Sequence, residues 1–74
     1  MRKPIQIQDL QRILDLGGGV SVDATDYELH EILYLVSYAA RKEATVILRN
    51  AHRFEMHQLG RVASEAKNRV IFEV

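Results

Sequence analysis

The sequence predicts an α/β fold: an αβαβαβ chain with a three-stranded parallel sheet, helices mainly on one face in two layers, and an internal βα repeat. Three observations lead there. The stretch "DATDYELHEILYLVSYA" from Asp23 aligns without a gap on "NAHRFEMHQLGRVASEA" from Asn50, and self-similarity at a fixed period marks a repeated supersecondary unit. Apolar residues within each copy recur at helical spacing, and each copy is followed by a short β-branched run. Connections of this length make parallel neighbours by crossover.

The elements follow in order along a single domain, 1–74. Leu10, Ile13 and Leu14 place a first helix over 8–16, and "GVSVDA" places a strand over 19–23. Leu29, Ile32, Leu33, Val36 and Ala40 share one face of a helix over 26–41, introduced by Thr25-x-x-Glu28 in the form of a capping box. A strand over 44–49 comes next, in "ATVILRN". Met56, Leu59, Val62, Ala63 and Ala66 define a helix over 53–67, with Glu55 and Lys67 complementing its dipole. "RVIFEV" supplies the last strand, 70–74.

Gly17-Gly18-Gly19 is the most motif-like stretch. A phosphate loop leaves a strand and opens a helix. These glycines close a helix and lead into a strand, where a left-handed C-cap is wanted, so plain helix termination is the reading.

Composition narrows the function. With 47% hydrophobic and 27% charged residues the chain has the balance of an ordinary globular domain. At this length folding hides only about 60% of the unfolded surface. Cysteine is absent, which removes disulfides and thiolate metal sites and makes the cytoplasm the default location. Met1-Arg2-Lys3-Pro4 leads into polar residues and reads as no secretory signal, and no segment is suited to span a membrane. Ten basic residues balance ten acidic ones, so binding to nucleic acid is not expected.

Three groups of residues are candidates for function. Tyr27, Tyr34 and Tyr38 fall within about 40° of one another on the second helix, opposite its aliphatic stripe. They form either an interface centre or a seat for a neighbouring helix. The repeat does not keep this row, since Arg61 and Glu65 stand where Tyr34 and Tyr38 do. Strand alternation turns Val20, Val22, Val46, Leu48, Val70, Phe72 and Val74 toward the helices. Ser21, Asp23, Ile47, Arg49, Ile71 and Glu73 are left on the opposite face. Parallel sheets seldom leave a face bare, so Ile5-Gln6-Ile7, the first helix or a second molecule is expected to cover it. A last strand at a sheet edge also invites pairing, and self-association would satisfy both demands.

The third group gathers at the strand carboxyl ends, where ligands of open parallel sheets bind: Asp23, Asp26, Arg49, Asn50, His52 and Arg53. A small anion or a proton-transfer step suits such a cluster, but Asp23 and Asn50 immediately before helices are first of all capping or turn residues. His30 and His57 occupy matched positions. By helical angle they lie about 100° from Leu29 and about 160° from Leu59, so they point sideways or outward as exposed imidazoles rather than metal ligands, and no cofactor or metal is implied. No nucleophile stands beside a base, and enzyme activity is not the expected role.

In "VSVDATDYELHEIL" and "ILRNAHRFEMHQLGRVA" the chain resembles small uncharacterised bacterial proteins built from tandem strand–helix units with an Asp-Ala or Asn-Ala step before each helix, a resemblance that covers about 18–74 and implies a fold without an activity. The period of about 27 is similar to that of leucine-rich repeats, without their asparagine-centred leucine pattern. The alternation of strands and helices also resembles the sulfate-transporter and anti-sigma-antagonist domain. The serine of that domain's regulatory turn is missing near Thr25 and Asp26. The expected function is therefore a small non-enzymatic protein–protein interaction module, self-association included. The alternative is a small-ligand, anion-binding or catalytic site at the strand carboxyl ends.

Overall fold

The computed structural model describes residues 5–74; the expectation attached to Met1–Pro4 lies outside them. Helix α1 spans Ile7–Asp15, strand β1 Val20–Asp23, helix α2 Leu29–Arg41, strand β2 Val46–Arg49, helix α3 Met56–Ala66 and strand β3 Val70–Phe72. Two single 3₁₀ turns, Ala24–Asp26 and Ala51–Arg53, lead from β1 and β2 toward the next helix.

All three strands are parallel and lie side by side in chain order, β1-β2-β3, with Val20 opposite Val46 and Val46 opposite Val70. Alternation along each strand turns Val20, Val22, Val46 and Leu48 inward, where they are buried with Leu10, Leu14, Ile32, Leu35 and Val62. Ser21 and Ile71, on the other face, are exposed. A core on one side only means that the helices form one layer over one face of the sheet. Within that layer α1 packs on α2 and α2 on α3, so each unit meets its neighbours as in a repeat stack.

The glycines do terminate a helix. Gly17 sits at φ 89, its N–H donates to the Leu14 carbonyl at 3.1 Å, and the Gly18 N–H donates to Ile13 at 3.0 Å. That is the paired bonding of a Schellman motif around a left-handed residue. Gly19 is required for a different reason, because a Cβ there would lie 2.9 Å from the Thr45 carbonyl oxygen, where β1 begins to pair with β2.

Helix starts depart from expectation. Both later helices begin three residues late, at Leu29 and Met56 rather than 26 and 53. The box is not Thr25-x-x-Glu28: Glu31 Oε1 accepts from the Glu28 N–H and Gln58 Oε1 from the Glu55 N–H, each at 2.9 Å, so the box residue is the third of the helix itself. Residues 24–26 and 51–53 are taken by the 3₁₀ turns. Tyr27 and Phe54 then run extended, each 7% exposed, and plug the core beside the fully buried Ala24 and Ala51.

The strands are shorter than expected at their ends, and Val74 is not a helix-facing strand residue. It follows β3 and is 92% exposed.

Candidate interaction surfaces

The tyrosine row does not exist as a surface. Helical angles do not extend to Tyr27, which precedes α2 in extended conformation and is buried, its hydroxyl donating to the Ile5 carbonyl. The Tyr38 hydroxyl donates to Asp15 Oδ1 at the end of α1, and Lys42 Nζ reaches the same oxygen at 3.3 Å. The guanidinium of Arg41 stands 5.3 Å from the ring centre, a cation–π distance. The bond from Tyr38, with the Lys42 charge beside it, holds the Asp15 carboxyl below its ordinary range, and the same bond to the carboxylate raises the Tyr38 phenol above its own. Two of the three tyrosines therefore fasten the N-terminal segment and α1 to the rest of the chain. Tyr34 alone stays exposed, at 55%.

At the strand carboxyl ends, Asp23, Asn50 and Arg53 are brought together with partners from the chain itself. Asp23 Oδ1 accepts from the Thr25 N–H at 2.9 Å and from the Thr25 hydroxyl at 2.6 Å. Asp23 Oδ2 accepts from Asn50 Nδ2 at 3.0 Å. These bonds, Thr25 foremost, pull the Asp23 pKa down to about 2. Asp23 is thus the capping residue expected of it.

Asn50 is not a cap. It takes the left-handed conformation at φ 56 and makes no side-chain cap bond, spending its amide on the equivalent residue of the preceding repeat. Arg53 repeats the theme, donating from Nη1 to the Tyr27 carbonyl at 3.1 Å and lying over the Phe54 ring at 4.8 Å. His52 is exposed beside them. The cluster weighed as an alternative ligand site carries rungs between neighbouring units, Asn50 to Asp23 and Arg53 to Tyr27, for which the matching of Asp23 with Asn50 in the alignment was the available signal.

A shallow hollow of ≈ 300 Å³ opens instead among Ile5, Gln6, Ile7, Asp26, Tyr27 and Glu31. Of the strand-end residues it includes only Asp26. His30 and His57 are both exposed, and His57 Nδ1 lies 3.4 Å from Glu55 on the same turn. Among the described residues no three side chains form a metal-binding group.

The open sheet face is the larger feature. Neither Ile5–Ile7 nor α1 crosses it: α1 lies against α2 and β1 in the helix layer, and Ile5 is tied to Tyr27. Ile47 is half-buried in the middle strand, and Ile71 beside it in register is 50% exposed. Arg49, paired in register with Asp23, borders them. Its Nε is shielded from solvent without a hydrogen-bond partner. The face is therefore a short apolar strip edged by charge.

Among the described residues no helix is long and apolar enough to cross a membrane. Comparison with protein-family models, with curated proteins and with solved structures finds no match for the chain.

Proposed function

We propose that the chain is a non-enzymatic interaction module whose working surface is the uncovered sheet face around Ile47, Ile71 and Arg49. The observation that carries this reading is the one-sided helix layer. A parallel sheet is ordinarily covered on both faces because both expose side chains of strand-forming, apolar type. Here the second face keeps two isoleucines side by side with the cationic Arg49 side chain at their border, its Nε shielded within the chain. A partner surface with an apolar centre and a carboxylate or carbonyl at its rim would complete both.

The polar residues at the strand carboxyl ends do not compete for this role, since Asp23, Asn50 and Arg53 already bond within the chain. The test compares the protein with the Ile47→Glu, Ile71→Glu double variant. The expected result is an unchanged circular dichroism spectrum together with loss of the proteins that the parent chain retains from its own cell extract. Retention of the same partners by the folded variant would reject the reading.

A further inference from the structure

A second surface becomes visible when each position of α3 is set beside its equivalent in α2. Leu29, Leu33, Val36 and Ala40 lie on the flank of α2 away from Tyr38 and α1, and all are buried or half-buried. Their equivalents 27 residues on, Met56, Gly60, Ala63 and Lys67, are all exposed, Met56 at 82%. The sheet beneath behaves alike. Val46, Leu48 and Ile32 are fully buried, whereas Val70, Phe72 and Leu59 at the corresponding places are only half-buried. The flank covered by a strand–helix unit in the first repeat is thus open in the second.

The backbone of β3 has the same unfinished edge. Arg69 and Glu73 bond toward β2, through Val46 N–H to the Arg69 carbonyl at 2.8 Å and Glu73 N–H to the Leu48 carbonyl at 2.9 Å. Strand alternation then turns the N–H and C=O groups of Val70 and Phe72 outward. No proline, lysine or bulge blunts that edge, although these are the usual devices against strand pairing.

We infer that two copies of the chain join through their β3 edges about a two-fold axis at Phe72, making a six-stranded sheet with the two α3 flanks meeting over the seam. The inference goes beyond the open-face reading and uses a different surface. The side left open here is the one that the next strand–helix unit covers in the first repeat, which points to another unit of the same build as the occupant.

Self-pairing also fits residue by residue. In an antiparallel register centred on Phe72, the Phe72 residues of the two copies exchange both backbone bonds, and Val74, which lies beyond β3 in the single chain, would extend the strand to face Val70. On the helix side only apolar residues then oppose one another, and self-complementarity is what a two-fold contact requires. An antiparallel seam on a parallel sheet is a common arrangement. Gly60 and Ala63 leave room for the helix flanks to approach, and zero net charge sets up no overall repulsion between copies. The opposite end of the molecule is a poorer occupant, because it exposes Asp9 and Arg12 on α1 and turns Ser21 and Asp23 along the β1 edge.

Sedimentation equilibrium from low to high micromolar concentration tests this, with the parent chain expected to approach twice its 8.5 kDa mass. Met56→Lys and Val74→Lys replace exposed side chains outside the core, so the doubly substituted chain should keep its spectrum. It should associate at least about tenfold more weakly, because the seam would have to take up one lysine opposite each Val70 and another on each α3 flank. Amide exchange at Val70, Phe72 and Val74 should slow as the parent concentration rises. A monomer throughout, an open-ended polymer, or a dimer that survives these lysines but is broken by Ile47→Glu would each overturn the inference; the last would assign self-association to the open sheet face instead.

Discussion

Asp23 shows how one residue type serves two neighbours at once: one carboxylate oxygen shapes its own turn through Thr25 and the other reaches Asn50 in the next repeat. Its folded pKa of about 2 lies below the ordinary 3.8, so its charge stabilises the folded state above pH 3.8, and that contribution disappears as pH falls toward about 2. Asp23→Asn keeps the size and an acceptor oxygen while removing the charge. Thermal melts should therefore show the parent more stable than the variant at neutral pH, with the gap closing between pH 3.8 and about 2. A gap independent of pH would mean that the ionised carboxylate is not what holds the turn. That Asp23 caps was legible from its place before a helix; that Asn50 does not was hidden, because only the assembled sheet sets the two side chains 3.0 Å apart.

The ends of the helices are decided at the scale of the element. After α1 and α2 the same motif appears, with bonds from Glu43 N–H to Ala40 and from Ala44 N–H to Ala39 repeating those of Gly17 and Gly18. The left-handed position is glycine in one case and Glu43, at φ 55, in the other. A side chain there costs roughly 1–2 kcal/mol that glycine avoids, offset in part by the greater freedom of glycine when unfolded. Glu43→Gly should accordingly stabilise the protein by about 0.5–1 kcal/mol in urea titration, and a destabilised variant would contradict this account of how α2 stops. Three glycines in a row made the first helix end plain in the sequence. The second, expected at 41, falls at Arg41. The starts were misplaced for a physical reason: Thr25-x-x-Glu28 satisfies the form of a capping box, but burial of Tyr27 and Phe54 requires an extended residue between turn and helix. The coincidence of Ala24 with Ala51 and of Tyr27 with Phe54 was the signal for that plug.

In the whole molecule a thin core joins one layer of helices to one sheet. Leu35 is fully buried at its centre, and truncating a buried leucine costs about 2–5 kcal/mol. Against a total stability of order 0.05–0.15 kcal/mol per residue, Leu35→Ala should leave the chain largely unfolded or melting far below the parent; a melting temperature within a few degrees of the parent would show that the core is more tolerant than its size implies. The helical stripe read from Leu29, Ile32, Leu33, Val36 and Ala40 is real but lies off centre, since the buried residues of α2 are Ile32, Leu35, Val36 and Ala39, while Leu29, Leu33 and Ala40 are half-buried on its flank. Local pattern therefore determined the class of each element, their order and the parallel sense of the strands, because period, turn chemistry and connection length are properties of neighbouring residues. Only the tertiary structure decided which apolar side chains are covered. Exposure of Tyr34, Ile71 and Met56, and concealment of Tyr27, depend on what the rest of the chain lays against them, and a hydrophobic residue has the same local signature whether or not a neighbour arrives.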